Sequence, residues 1–227
     1  MVYVTGDIHG NYKLLKKRMS KLKRRDYLIV CGDFGFVWDN SEVEQKRLKT
    51  LGKKNILFVD GANENFDLLK TFPVTTWNGG KVQVISGNLL HLLRGQVYEL
   101  LGVRLFTFGG GESTYGYFEN EGSAWKSLEL PSGDEMAEGL ENLQKAGHQV
   151  DYIITHDAPQ SICNSVFKHP TYNHLHNYLD QIAKVCKYRN WYSGCYHLNK
   201  KVTSLHTLVF DKVIPLEGTE DAGRKTK

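Results

Sequence analysis

The chain has 227 residues, of which 41% are hydrophobic and 24% are charged, and its formal net charge is +4. This composition is typical of a folded globular protein and argues against a disordered chain. The mild positive charge argues against a dedicated, strongly basic nucleic-acid-binding domain, and no apolar run approaches the ~20 residues that a membrane-spanning helix needs.

Short runs of β-branched and aromatic residues predict strands throughout the chain. In the first third these runs alternate with helical patterns, which predicts parallel pairing. From about residue 82 to 108 there are strands and turns with little helix, which predicts antiparallel meanders. The predicted strands are 2–4, 27–31, 56–60, 82–85, 97–100, 103–108, 152–155, 191–192 and 205–213, and the predicted helices are 11–22, 42–51, 65–69, 133–146 and 171–188.

Polar clusters follow five of the predicted strands, at the point where each strand ends. Open α/β sheets bind ligands at the carboxyl ends of their strands, so residues that are distant in sequence converge there. Carboxylates and imidazoles in such places predict a metal centre. The clusters are Gly6-Asp7-Ile8-His9-Gly10, Gly32-Asp33, Gly61-Ala62-Asn63-Glu64-Asn65, His156 and Gly194-Cys195-Tyr196-His197.

The order of these clusters resembles that of the calcineurin-like metallophosphoesterases, in particular their small bacterial or phage-type members. The resemblance rests on residues 6–10, 31–35, 60–67, 156 and 194–197, and it extends from residue 2 to about 210. It implies a four-layer α/β/β/α sandwich, with two mixed sheets flanked by helices. We expect a single domain over residues 1–216, followed by a polar tail at 217–227.

The resemblance also implies a ligand set. Asp7, His9 and His197 would hold a first metal ion, Asp33 would bridge two ions, and His156 would hold the second. Carboxylate and imidazole ligands suit Mn, Fe, Zn or Ni, with one or two ions per chain. A pair of ions clamps the phosphoryl oxygens and lowers the pKa of bound water to about 7. The implied reaction is hydrolysis of a phosphomonoester or phosphodiester by a metal-bound hydroxide.

Three residues depart from the family pattern in the half that would hold the second metal. Ungapped alignment puts Ala62 where the family has an asparagine ligand, and Asn63 where it has the histidine that protonates the leaving oxygen. Cys195 replaces a metal-binding histidine; it would either ligate as a thiolate or fill the space of the lost imidazole as a neutral thiol. A shift of one residue would instead bring Asn63 to the ligand position and Glu64 to the acid position.

These departures leave two functions open. The first is a phosphoesterase with a one-metal or asymmetric site, in which Asp33 takes part in catalysis and Asn63 binds the phosphoryl group by hydrogen bonding. The second is a degenerate member that keeps the fold and binds a protein or a nucleotide without turnover. The five remaining ligands favour the enzyme, whereas Ala62, Asn63 and Cys195 favour the binding module.

Residues outside the motif have competing interpretations. Arg94 follows a strand and would contact phosphate bidentately or form a surface ion pair. Asp157 would orient an imidazole or be a loop residue. The basic run at 13–25 is either a solvated helix face or a site that attracts nucleic acid. We expect the remaining histidines to be structural or exposed, namely His91, His148, His169, His174, His176 and His206.

The expected substrate is a small phosphoester or a nucleotide, and the oligomeric state stays open. Four cysteines at irregular spacings in a chain of this size favour a reducing compartment. Because no signal-peptide pattern precedes the first strand, we expect a cytoplasmic location without membrane attachment.

Overall fold

The structure is a computed structural model and describes residues 1–113, 126–168 and 172–219. The strands of the described residues are β1 (Val2–Thr5), β2 (Tyr27–Cys31), β3 (Asn55–Val59), β4 (Val74–Trp77), β5 (Gly80–Ser86), β6 (Leu89–Leu92), β7 (Gln96–Leu100), β8 (Val103–Phe108), β9 (Tyr152–Thr155), β10 (Asn190–Ser193), β11 (Lys200–Lys201), β12 (His206–Leu208) and β13 (Ile214–Pro215). The helices are α1 (Tyr12–Met19), α2 (Glu42–Leu51), α3 (Phe66–Leu69), α4 (Lys126–Glu129), α5 (Gly133–Lys145), α6 (Gln160–Val166) and α7 (His174–Val185).

The strands form two mixed sheets. Sheet A has the strand order β13-β1-β2-β3-β6-β5-β4, and sheet B has the order β11-β12-β10-β9-β8-β7. The strands β1, β2 and β3 pair in parallel, as the alternation of strands and helices predicts. In sheet B the strands β8, β9, β10 and β12 are parallel, and antiparallel strands close both edges.

The meander predicted between residues 82 and 108 is only partly right. The pairs β5–β6 and β7–β8 are antiparallel, but the first pair belongs to sheet A and the second to sheet B. The strand β6 also pairs in parallel with β3. The chain therefore changes sheets after β6, and a local pattern of strands and turns cannot reveal such a crossing.

Alternating side chains on the strands produce the layers. Val4 of β1 and Ile154 of β9 belong to one apolar core between the sheets, whereas Leu28 of β2 packs on the outer face of sheet A. The helices α1 and α2 cover that outer face, and α5 and α7 cover the outer face of sheet B with Leu143 and Leu179. The predicted four-layer α/β/β/α sandwich is confirmed.

Capping side chains set the helix boundaries. The Asn11 side chain accepts a hydrogen bond from the Leu14 N–H (3.0 Å), and α1 ends at Met19, before the predicted residue 22. Ser132 caps α5 in a capping box with Glu135, so the cap lies just before the predicted start. None of the described helices has the length and apolarity required to cross a membrane.

The last described residues pack onto the first strand. The Thr219 hydroxyl accepts a hydrogen bond from the Val2 N–H (3.3 Å) and donates one to the Leu216 carbonyl (2.8 Å). Thr219 is buried, so the start of the predicted polar tail is ordered against β1. Residues 220–227 of that tail lie outside the described residues.

Candidate metal centre

The five predicted metal ligands converge at one end of the sandwich. Asp7 and His9 follow β1, Asp33 follows β2, His156 follows β9, and His197 comes four residues after β10. Two of these strands belong to sheet A and two to sheet B, so the site lies between the carboxyl ends of parallel strands from both sheets. The site consists of an open half and a buried half.

The open half consists of Asp7, His9 and His197. The Asp7 Oδ2 atom lies 3.0 Å from His197 Nε2 and 3.9 Å from His9 Nε2, and the two Nε2 atoms are 3.1 Å apart. The two imidazoles are 42% and 52% exposed, whereas the Asp7 side chain is 1% exposed. One ligand atom from each residue lies within 4.8 Å of the others, which is close enough for one shared ion.

The Asp7 carboxylate fits a cation because the protein leaves it without hydrogen bonds. Both of its oxygens are buried, and neither accepts a hydrogen bond from a protein group. His197 lies within ion-pair distance of Oδ2 and His156 Nδ1 lies 3.6 Å from Oδ1, but neither imidazole makes a hydrogen bond to Asp7. A buried carboxylate in this condition costs free energy of folding. A divalent ion among these ligands would remove that cost.

The buried half centres on Asp33 and His156. His156 Nε2 lies 3.6 Å from Asp33 Oδ1, and its Nδ1 lies 3.1 Å from the Cys31 carbonyl oxygen. Burial favours the neutral imidazole, but the nearby Asp33, Cys195 and Asp7 raise the His156 pKa well above its ordinary value. The negative potential that favours a proton here also favours a metal ion. A hydrogen bond from Nδ1 to the carbonyl would leave the Nε2 lone pair facing Asp33.

Asn63 holds the Asp33 carboxylate through two hydrogen bonds. The Asn63 backbone N–H donates to Asp33 Oδ1 (2.8 Å), and Asn63 Nδ2 donates to Oδ2 (2.8 Å). Burial alone would raise the Asp33 pKa, but His156 and these two hydrogen bonds lower it below its ordinary value. The neighbouring Ala62 is buried and offers no polar side-chain atom. The amide of Asn63 therefore orients Asp33, and its contact with a phosphoryl group stays a prediction.

Glu64 connects two loops of the site. Its Oε1 accepts a hydrogen bond from the Phe34 N–H (2.7 Å) and its Oε2 accepts one from the Gly35 N–H (3.2 Å). Helix α3 is instead capped by Asn65. Burial and the nearby Asp33 raise the pKa of Glu64 well above its ordinary value. Glu64 fixes the loop after β2, which does not fit the acid role of the shifted alignment.

Cys195 lies beside His156 but outside the group formed by the open half. Burial raises the pKa of its thiol to about 11, although His156 lowers it. A neutral thiol near pH 7 fits the space-filling interpretation, whereas a bound metal would stabilise the thiolate. Metal ligation by Cys195 stays a prediction.

Four site residues have a left-handed backbone. Eight non-glycine residues of the described chain have positive φ, and they include His9 (48°), Asp33 (44°), Cys195 (24°) and His197 (50°). Such conformations cost about 1–3 kcal/mol each and concentrate at functional sites. Gly32 has φ +99°, and a Cβ there would lie 2.0 Å from His156 Nδ1. The glycine before Asp33 therefore lets the two sheets bring their ligands together.

The comparison with known proteins agrees with this geometry. The sequence matches the family model of calcineurin-like phosphoesterases over residues 1–201. The chain belongs to the calcineurin-like phosphoesterase family. None of the curated proteins compared with it matches.

A solved structure shares the fold of this family member. It is a crystal structure of a Staphylococcus aureus protein named as a 5'-nucleotidase, in complex with alpha-ketoglutarate, with a TM-score of 0.51 and 13% sequence identity. The alignment covers 92% of this chain and 48% of that chain, so the chain spans about half the length of the crystallised protein. At this identity, the likeness shows the fold alone.

In one buried network of this phosphoesterase-family member, Asp157 orients an imidazole as one of the two sequence interpretations expected, but its partners were not predicted. Asp157 Oδ2 lies 2.9 Å from His176 Nε2, and Asp157 Oδ1 accepts hydrogen bonds from the Tyr196 hydroxyl and the Ala158 N–H. Tyr196 stands between Cys195 and His197, so the network connects α7 to the loop that carries a predicted ligand. The imidazole that Asp157 orients belongs to His176. The spacing Asn173-x-x-His176, a capping box, was the available sequence signal.

The same network contains a second group with metal-like spacing. Asp157, Cys163 and His176 are all buried and offer ligand atoms within 4.8 Å of one another. However, His176 Nδ1 accepts a hydrogen bond from the Asn173 N–H (3.3 Å), which assigns the ring hydrogen to Nε2, next to Asp157. No lone pair of the His176 ring then faces Asp157 and Cys163. We therefore interpret these three residues as a hydrogen-bonded support for the loop that carries His197.

Arg94 does not fit the predicted phosphate contact. Its Nε and Nη2 donate to Asp60 Oδ2 (2.9 and 2.6 Å), and its Nη1 donates to Glu135 (3.3 Å). Nη2 also donates to the carbonyls of Leu128 and Glu129. The side chain is 7% exposed. Because these partners occupy the guanidinium, Arg94 supports the loop after β3 through Asp60.

The other histidines lie away from the two halves of the centre, as far as the structure describes them. His91 contacts Gln83 and Asp60, His174 contacts the Pro131 carbonyl, and His148 is exposed. His206 is buried and bonds to Ser193 Oγ (3.1 Å). His169 lies outside the described residues.

Proposed function

We propose that this protein is a metal-dependent phosphoesterase that hydrolyses a phosphomonoester or phosphodiester. The observation that carries the proposal is the buried Asp7 carboxylate, which lacks hydrogen bonds and faces the His9 and His197 imidazoles. Family membership supports the reaction class. Asp7, His9 and His197 would hold one divalent ion. Asp33 and His156, with Cys195 as a candidate, would hold a weaker second ion.

The chain's own residues would orient the reaction. Bound divalent ions would neutralise phosphoryl charge and supply a hydroxide nucleophile near neutral pH. Asn63 donates one Nδ2 hydrogen to Asp33 and would donate the other to a phosphoryl oxygen. His156, oriented by the Cys31 carbonyl, would present Nε2 to the second ion. Oxygen and nitrogen ligands suit Mn, Fe, Zn or Ni.

The missing general acid predicts a preference for good leaving groups. Asn63 cannot protonate a leaving oxygen near pH 7, and general acid catalysis is typically worth ~10²–10⁴-fold. An activated aryl phosphodiester needs little protonation, whereas an alkyl monoester needs it. Nucleoside 5'-monophosphates are the alkyl monoesters to test first, because the similar structure is named as a 5'-nucleotidase.

The test combines elemental analysis with two substrates. The purified protein is analysed for metal per chain, and hydrolysis of bis(p-nitrophenyl) phosphate and of AMP is followed with added manganese. We expect bound metal and much faster turnover of the aryl diester. Equal rates on both substrates would contradict the missing-acid account, and protein without bound metal would contradict the whole proposal.

A binding module without turnover is the second candidate. It is favoured by the buried half, where Asn63 occupies both Asp33 oxygens and Ala62 contributes no ligand. In that case the protein would bind a metal ion and a protein or nucleotide partner, and neither substrate would be hydrolysed. Metal content without turnover would therefore replace the enzyme by this candidate.

A further inference from the structure

The charge of this protein is concentrated in one part of the chain. Residues 13–54 contain 13 of the 29 Lys and Arg residues but 5 of the 25 Asp and Glu residues. This segment therefore has a formal charge of +8, and the rest of the chain has −4. The modest net charge of the whole protein conceals a strongly basic region.

The fold gathers these cations on one surface. The helices α1 and α2 both pack on the outer face of sheet A, through Leu15 and Leu48. Ten exposed cations on or just after these helices define the basic face: Lys13, Lys16, Lys17, Lys21, Arg24, Lys46, Arg47, Lys49, Lys53 and Lys54.

Contacts between the helices make the basic face continuous. The ring of Tyr12 on α1 lies beneath both Lys16 Nζ (5.6 Å to the ring centroid) and the Arg47 guanidinium of α2 (5.9 Å). On α1, the cations follow at helical spacing on the side opposite the buried Leu15. The helix begins two residues after Gly10, so one end of the basic face adjoins the loop that carries His9.

Arg18 is not part of this face. It is 5% exposed, and its Nη1 donates to the carbonyls of Gly6 (2.6 Å) and Asp7 (3.0 Å). The cation of α1 that points inward therefore supports the Asp7 loop, and the outward cations have no comparable role. The exposed acids between residues 11 and 54 are Asp39 and Glu42, and Glu42 pairs with Lys46 at 3.5 Å.

We infer that the basic face binds the phosphate backbone of a nucleic acid. A row of cations on a rigid surface is the complement of a polyanion, and neutralised phosphates release condensed counterions on binding. The helix dipole explains cations in the last turns of α1 and α2, worth about 0.3–1 kcal/mol each. It does not explain Lys13, Arg47, Lys53 or Lys54.

A nucleic acid fits this face better than an anionic membrane. Interfacial helices place a row of large apolar side chains in the headgroup region, whereas α1 exposes no large apolar side chain and α2 exposes only Val43. Binding at this face does not require hydrolysis, so the inference stands or falls separately from the proposed reaction.

The test measures binding of a single-stranded DNA while EDTA removes the metal ions that hydrolysis would need. A fluorescein-labelled oligo(dT) of about 20 nucleotides is titrated in EDTA, by anisotropy, between about 50 and 200 mM NaCl. The test variant combines Lys13→Gln, Lys16→Gln, Lys17→Gln and Lys21→Gln. The control combines Lys145→Gln, Lys168→Gln, Lys184→Gln and Lys187→Gln, four exposed lysines on or beside the helices of sheet B. Thermal unfolding checks that both variants fold.

We expect the wild type to bind with a Kd near the micromolar range, as non-specific sites do. The test variant should bind at least about tenfold more weakly. The slope of log K against log[NaCl] should become shallower by about 0.7 for each lost phosphate contact. The control, with the same change in net charge, should stay close to the wild type.

Three results would overturn the inference. Equal weakening of both variants would mean that overall charge, and not this face, drives binding. Absence of wild-type binding would remove the nucleic acid as partner. Binding to phosphatidylserine vesicles without binding to oligo(dT) would assign the face to a membrane surface instead.

Discussion

The open and buried halves of the candidate metal centre differ in how far the protein itself satisfies their ligands. In the open half, Asp7 accepts no hydrogen bond and faces two exposed imidazoles. In the buried half, Asn63 occupies both oxygens of Asp33, and the Cys31 carbonyl engages His156. The open half depends on a cation to satisfy its carboxylate, whereas the hydrogen bonds from Asn63 already satisfy the carboxylate of the buried half.

This difference predicts unequal metal affinities. A cation entering the open half would remove the cost of an unsatisfied buried carboxylate. A cation entering the buried half would compete with existing hydrogen bonds and would find Ala62 in place of a ligand. We therefore expect one tightly bound ion and one weakly bound ion per chain.

The largest effect is expected for Asp7→Asn, which removes the charge of the open half at constant size. The tight ion should be lost, and kcat/KM on an aryl phosphodiester should fall about 10³-fold, equivalent to about 4 kcal/mol. In EDTA the unfolding midpoint should stay equal or rise, because the removed charge had no hydrogen bonds. Elemental analysis and thermal unfolding measure both effects.

The control for that experiment is Asp134→Asn, at an exposed position of α5. It should leave metal content and rate unchanged. Full metal content in Asp7→Asn would show that the open half is not the tight site. The buried half would then have the higher metal affinity.

The second effect concerns repair of the buried half. The triple variant Ala62→Asn, Asn63→His and Cys195→His restores the residues of the family pattern. We expect metal content to approach two ions per chain and AMP hydrolysis to rise about 10²-fold, the lower range for general acid catalysis. The aryl diester should gain less. The backbone hydrogen bond from residue 63 to Asp33 would remain.

The single variant Ala62→Asn separates the parts of this repair, because it adds a ligand without adding an acid. It should raise metal content more than rate. If the triple variant changes neither quantity, the buried half has diverged at more than these three positions.

A smaller effect is expected for Tyr196→Phe, which tests the support beneath the ligand loop. The variant removes the hydroxyl that donates a hydrogen bond to Asp157. Tyr196 lies between Cys195 and His197, which both have positive φ. Loss of such indirect support typically costs 10–100-fold in metal affinity, and we expect about tenfold, measured by competition with a chelator. Tyr172→Phe is the control, because its hydroxyl binds the exposed Asn164. Reduced stability with unchanged metal affinity would limit Tyr196 to a structural role.

The sequence predicted the parts of the fold that local rules determine. Helix α2 has the predicted bounds, since Ser41 caps its first turn and Gly52 follows its last residue. The polar clusters after strands indicated the convergence of Asp7, His9, Asp33, His156 and His197, because parallel strands end at one edge. The change of sheet after β6 was missed, since pairing with β3 depends on a partner about 30 residues away.

The residues that the sequence missed act through distant partners. Tyr196 and Asp157 are separated by 39 positions, and Arg94 and Asp60 by 34, and no motif spacing joins either pair. For Arg94, a phosphate contact and a surface ion pair both stayed open because the sequence does not show that Asp60 faces it in the interior. Likewise, Asn63 was expected to face the substrate, but the fold places its amide on Asp33.

The smallest expected effect is the response of His206, beneath the buried half, to acid. His206 forms a hydrogen bond with Ser193, and Ser193 forms one with Thr155. Ser193 lies just before the loop of Cys195, and Thr155 lies just before His156. Burial lowers the pKa of His206 to about 3, so between that value and its ordinary pKa only the unfolded chain takes up the proton. The free energy of unfolding should therefore fall by up to about 1.4 kcal/mol for each pH unit below about 6.5.

The variant His206→Gln isolates this contribution, because glutamine keeps a polar contact with Ser193 but does not titrate. Urea unfolding of both proteins in EDTA between pH 4 and 7 gives the comparison. We expect the wild type to lose more stability than the variant as the pH falls, and parallel curves would contradict a neutral His206. A steeper loss in the wild type would show that His206 is neutral in the folded protein, and that the hydrogen bonds from His206 to Ser193 and from Ser193 to Thr155 rest on an uncharged imidazole.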